Sequence, residues 1–158
     1  MLQKGQTAPE FTLPSSTRDI SVSLQDLKGQ NVLILFFPLA FTGVCTKELC
    51  NVRDNISFYN NTNATVLGIS VDSPATLNKF KEEQSINFTL LSDFNKEVST
   101  AYNCIYENFI GWMKGVSKRA AFIVDKDGII QYTEVLENAG EMPNFEAINK
   151  ILSELSST

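Results

Sequence analysis

The strongest constraint on the fold is one unbroken apolar run, NVLILFF, from Asn31 to Phe37, closed by Pro38. A strand with one wet face alternates apolar and polar residues. This run does not alternate, is short, and is rich in β-branched and aromatic side chains, so it predicts a strand buried on both faces. Pro38 has no N–H to give a sheet ladder and ends the strand. Two dry faces require cover on both sides, and the remaining sequence must supply it.

The rest of the chain alternates such runs with helical patterns. An amphipathic stretch runs from about Thr42 to Asn60, and ATVLGISV, Ala64 to Val71, reads as a second buried strand. SPATLNKFKEEQ opens as a helix, with Ser73 as N-cap and Pro74 at the first helical position. FTLLSD predicts a short third strand, followed by a helix near Asn95 to Tyr102. RAAFIVDKDGIIQYTEVL predicts a hairpin turning at Lys126-Asp127-Gly128, where glycine accepts a positive φ. Phe145, Ile148, Ile151, Leu152 and Leu155 recur at helical intervals and predict a C-terminal helix lying on the sheet. The order β-α-β-α-β-α-β-β-α is that of an α/β fold, a central mixed sheet flanked by helices. Ligands in such sheets gather at the carboxyl ends of the parallel strands. The segment FFPLAFTGVCTKELC, Phe36 to Cys50, lies at one of those ends.

The 158 residues suffice for one domain, 1–158, with its own core. No apolar run approaches the roughly 18 residues of a membrane span, and the N-terminus lacks the apolar core of a signal peptide. These observations predict a cytoplasmic protein with no membrane partner. The net charge of −5 argues against nucleic acid. Histidine is absent. That excludes Ser-His-Asp and Cys-His pairs and the usual histidine-ligated metals, and the three cysteines cannot make a four-cysteine zinc site. No metal or cofactor is expected. A reactive cysteine here must be activated by a cation, by a helix N-terminus, or by both.

Thr42 is a natural N-cap after Pro38, which places Cys45 third in the following helix. The free N–H groups and dipole of a first turn favour an anion such as a thiolate. The Thr42 hydroxyl can turn toward the same centre. If the strand Ala120 to Val124 pairs antiparallel beside Val32 to Phe37, Arg119 arrives next to Cys45 with a permanent positive charge. Lys118 falls on the other face. Cys45 and Cys50 would stand roughly 8.6 Å apart between Cα atoms on an ideal helix, on different sides of it. A disulfide needs less than about 7 Å, so a bridge between them requires the helix to unwind.

PLAFTGVC, Pro38 to Cys45, resembles the P-x-x-x-T-x-x-C motif of peroxiredoxins. KGQTAPEFTLPSS, VLILFFP, VLGISVDSPATLNKF, LLSDFNKEVSTAY and RAAFIVDKDGIIQY extend the resemblance to the alkyl-hydroperoxide-reductase/thiol-specific-antioxidant domain over most of the chain. The resemblance implies a thioredoxin-like fold and thiol-dependent reduction of peroxides. It implies that Cys45 is the peroxidatic cysteine, that Thr42 and Arg119 hold the peroxide, that Pro38 shields the thiolate, and that Glu48 orients Arg119. It further implies a thioredoxin-like reductant and a homodimer. CTKELC has the spacing at which the bacterioferritin-comigratory (Q) type carries a resolving cysteine, here Cys50. PLAFTGVCTKEL and YENFIGWMKGVSKRAAFIVD resemble instead the one-cysteine AhpE-like group. Resolution by Cys50 and by an external thiol both remain open, and Cys104 matches no resolving position. A non-catalytic thioredoxin-fold redox sensor or holdase is the competing function. The aromatic segment IYENFIGWM either faces a second subunit or folds over its own core.

Overall fold

A computed structural model describes residues 2–157. The predicted central strand forms as β3, Asn31–Phe36, and every residue in it is buried. β3 lies in the middle of a five-stranded sheet with β4 (Ala64–Ser70), β5 (Thr89–Ser92), β6 (Arg119–Val124) and β7 (Ile130–Leu136), in the order β5-β4-β3-β6-β7. β3, β4 and β5 run parallel, while β6 and β7 are antiparallel, so the sheet is mixed as expected.

Alternation along β3 divides the core. Leu33, Leu35 and Phe37 pack with α1 (Gly43–Asp54), α2 (Ile56–Asn61), α3 (Pro74–Gln84) and α5 (Phe145–Ser156), through Leu49, Val52, Tyr59, Leu77, Phe80, Ile148 and Leu152. Val32, Ile34 and Phe36 pack on the other face with Phe11, Leu13, Phe122 and Tyr102, and with Val98 of α4 (Glu97–Ala101). Both faces are dry, which is why β3 carries no polar residue after Asn31.

The register positions the site. Phe36 pairs with Ala120 antiparallel, so Arg119 is brought beside Phe37 at the carboxyl end of β3. The Ser117 hydroxyl donates to the Phe37 carbonyl (2.8 Å), which fixes this corner.

Several local expectations change. The helical stretch from Thr42 to Asn60 is two helices, broken at Asn55. The Asn55 side chain donates to the Asn51 carbonyl (2.8 Å) while its own N–H turns to Val52, a local competition that ends the helical ladder. The helix near Asn95 shortens to α4, because Asp93 caps it by accepting from the Val98 and Ser99 N–H groups. The hairpin turns with Gly128 at φ 83°, but Asp125 holds the loop by accepting from Asp127 and Ile129, and the ladder shifts register beside Val124. A small antiparallel pair, β1 (Thr12–Pro14) with β2 (Ser21–Ser23), was not anticipated. Among the described residues no helix is long and apolar enough to cross a membrane.

Candidate active site

Pro38 ends β3 and is buried. The chain then turns through Phe41, at φ 66°, into α1. Asp72, just beyond the carboxyl end of β4, holds this turn. Its Oδ2 accepts from the Ala40 N–H (2.8 Å) and from the Ser70 hydroxyl (2.7 Å). Thr42 occupies the N-cap position with extended dihedrals, yet its side chain makes no cap bond. Its hydroxyl donates to the Leu39 carbonyl (2.7 Å) instead. The hydroxyl hydrogen is therefore engaged, and the Thr42 oxygen borders the cavity as an acceptor.

Cys45 is the third residue of α1 and is buried. Arg119, also buried, donates from Nη2 to Cys45 Sγ (3.3 Å). Most of the other guanidinium donors are engaged as well. Nη1 meets Glu48 Oε1 (2.6 Å), and Nε and Nη2 both reach the Ala139 carbonyl (3.2 and 2.8 Å). Burial opposes the charge on Arg119, but Glu48 and Cys45 more than offset it, and its pKa is raised. Glu48 is itself fully buried, one turn along the helix from Cys45. Burial pushes its carboxyl up to about 7 against the pull of Arg119, and Glu134 adds to the rise. Its Oε2 has no hydrogen-bond partner, which makes the ionised form the costlier one.

These groups floor a cavity of about 600 Å³. Leu39, Val44, Tyr106, Phe109, Ile110 and Met113 make its walls mainly apolar, and Glu137 to Gly140 form one lip. The aromatic wall is braced by the Tyr106 hydroxyl, which donates to the Glu137 carbonyl (2.6 Å). Lys118 does not line this cavity but pairs with Glu137 and lies 5.7 Å from the Tyr106 ring centroid. Pro38, Thr42, Cys45 and Arg119 thus share one cavity, with Glu48 behind Arg119.

Residues 4–133 match the AhpC/TSA family. The chain belongs to that family, the peroxiredoxins. It is a thiol-dependent peroxidase with a thioredoxin-like fold. It is 39% identical over 145 residues to alkyl hydroperoxide reductase E of Mycobacterium tuberculosis, covering 90% of each chain. It is equally 39% identical, over 132 residues, to peroxiredoxin Bcp of Escherichia coli, covering 83% of this chain and 84% of that one. The crystal structure of peroxidoxin BcpB from M. tuberculosis superposes with TM-score 0.83 at 28% identity, covering 99% of this chain and 98% of that one. The reduced 2-Cys peroxiredoxin of Plasmodium vivax gives 0.85 at 30% identity, covering 98% and 96%.

The three cysteines of this peroxiredoxin are free. Cys50 is half-buried and donates from Sγ to Gln84 Oε1 (3.5 Å). Cys104 is fully buried, and burial pushes its thiol far up, with Asp93 adding to the effect. Such a thiol is inert. Sequence reasoning missed Ala139, whose contribution is a carbonyl and therefore independent of side-chain identity. It also missed Asp72, although Ser70-x-Asp72 at a strand's carboxyl end was a visible signal.

Proposed function

We propose that Cys45 is the peroxidatic cysteine, attacking one peroxide oxygen as a thiolate. The O–O bond breaks, Cys45 becomes a sulfenic acid, and the departing alkoxide or hydroxide takes a proton to leave as alcohol or water. The Arg119 guanidinium, 3.3 Å from Sγ at the cavity floor, carries this reading. Its fixed donors offset the thiolate charge and the charge spreading onto the peroxide oxygens in the transition state. The Thr42 oxygen, its own hydrogen given to Leu39, accepts the peroxide hydrogen and orients the O–O bond toward Sγ. Pro38 walls the thiolate from bulk water, and Glu48 positions Arg119.

The apolar walls suit organic hydroperoxides beside hydrogen peroxide, since an alkyl or aryl group gains by leaving water. Cys50 resolves the sulfenic acid, and a thioredoxin-like thiol reductant regenerates the enzyme. The cytoplasm, where thiols stay reduced, is its proposed compartment. A holdase would leave the guanidinium and its cavity without a task, whereas a sensor cysteine that reports peroxide would use both.

Stopped-flow oxidation of reduced protein by hydrogen peroxide tests the central step. The wild type reacts orders of magnitude faster than a free thiol, and Arg119→Ala loses at least about 100-fold, the usual weight of a preorganised charge donor. A wild-type rate equal to that of free cysteine would overturn the assignment.

A further inference from the structure

Helix α1 is fastened to different partners along its length. At its start, Phe41, Thr42 and Gly43 are exposed, and the Thr42 side chain gives the first turn no cap bond. Its second half is tied to the end of α3. Cys50 Sγ donates to Gln84 Oε1 (3.5 Å), Arg53 Nη1 donates to the Gln84 carbonyl (2.5 Å), and Asn87 Nδ2 donates to the Arg53 carbonyl (3.2 Å). Leu49 and Val52, on the same half, are fully buried. The first half is held instead through Cys45 and Glu48 to Arg119 and by Phe41 against Phe80, contacts that must part before Cys45 can reach Cys50.

Gln84 is the last residue of α3, and Ser85 follows in the left-handed conformation at φ 52°. The Gln84 amide oxygen meets Cys50 from this helix end. An amide oxygen only accepts, so its bond to Cys50 exists only while the thiol keeps its proton. Resolution needs that proton gone and that sulfur free. The Cys50 thiolate attacks Sγ of the Cys45 sulfenic acid, the S–O bond breaks, and hydroxide leaves with the released proton as water. Cys50 is oxidised, Cys45 is reduced, and no outside oxidant is consumed.

We propose that Gln84 is a positioning residue that brakes this step by holding Cys50 as a bonded thiol. The proposal rests on Cys50 acting as the resolver. A braked resolver prolongs the sulfenic acid, so external thiols can intercept it. One chain would then show two-cysteine and one-cysteine behaviour according to the thiol supplied.

The test mixes one equivalent of hydrogen peroxide with wild type, Gln84→Met and Gln84→Glu, quenches at intervals with an alkylating reagent, and reads intact mass. Sulfenic acid formation stays within about twofold in all three. Loss of two protons, the mark of the disulfide, comes about threefold to tenfold faster in Gln84→Met, which keeps the bulk and removes the acceptor. It comes slower by a similar factor in Gln84→Glu, whose carboxylate repels the attacking thiolate. Mere loosening of α1 would speed both variants, and that result overturns the brake. Equal disulfide rates in all three overturn it too, and a disulfide that persists in Cys104→Ser and disappears in Cys50→Ser then leaves Cys50 as the resolver. A persistent sulfenic acid with no disulfide in the wild type overturns both readings.

Discussion

Cys45 and Glu48 draw on one guanidinium. With both ionised, the buried cluster carries one positive and two negative charges, and in a dry site that excess has no solvent to absorb it. The raised pKa of Glu48, about 7, is the consequence of its burial, and a neutral Glu48 leaves Arg119 to the thiolate. The effect on stability has a definite sign. Below the ordinary carboxyl value of 4.5, Glu48 is protonated folded and unfolded, and the fold's preference for the neutral acid contributes in full. Between 4.5 and about 7 the unfolded carboxyl ionises while the folded one stays neutral, and the contribution is lost as pH rises through about 7. Urea unfolding of wild type and Glu48→Gln should therefore diverge across this window, the wild type losing stability with rising pH relative to the variant. Parallel curves would mean that Glu48 is ionised in the fold throughout.

At the scale of elements, the site depends on a turn that no periodicity announces. β3 was legible because burial on both faces removes polar residues, and the C-terminal helix because its apolar residues fall on one stripe. The strand that follows Arg119 was legible for the same reason, since AAFIV is as dry as VLILFF, while its antiparallel place beside β3 entered as a supposition that the observed register bears out. The break at Asn55 was not, because it turns on whether one side-chain amide bonds its own helix. Nor was the Thr42 hydroxyl, whose choice of Leu39 over the first-turn N–H groups is set by the turn at Phe41. Asp72 holds that turn through the Ala40 N–H. Asp72→Ala frees it, and we expect Cys45 oxidation to slow about tenfold, with about 1 kcal/mol lost from stability for the vacated hydrogen bond. Asp72→Asn, which retains an acceptor oxygen, should restore most of the rate. Equal rates in Asp72→Ala and wild type would show that the turn holds its shape without the carboxylate.

At the scale of the whole molecule, the aromatic segment that walls the cavity leaves large apolar side chains in water. Trp112, Ile110 and Phe41 are 81%, 71% and 48% exposed, and Tyr106 and Phe109 stack behind them with ring centroids 5.0 Å apart. Scattered exposed apolar residues are ordinary, but two of these three lie within three residues of each other in one segment. A second copy of the chain is the occupant we propose, each protomer laying its aromatic segment over the other. The cover would keep water from the cavity and steady the Ile105 to Met113 wall, whose backbone turns through positive φ at Ile110 and Gly111. Trp112 is the sole tryptophan and reports on its own burial. Sedimentation at tens of micromolar should give a dimer with blue-shifted emission, and dilution should move that emission to the red. Ile110→Asp, which sets a charge within the contact and leaves the reporter in place, should sediment as a monomer with red emission at every concentration. A wild type that sediments as a monomer with water-exposed tryptophan emission would assign the aromatic segment to the cavity wall alone.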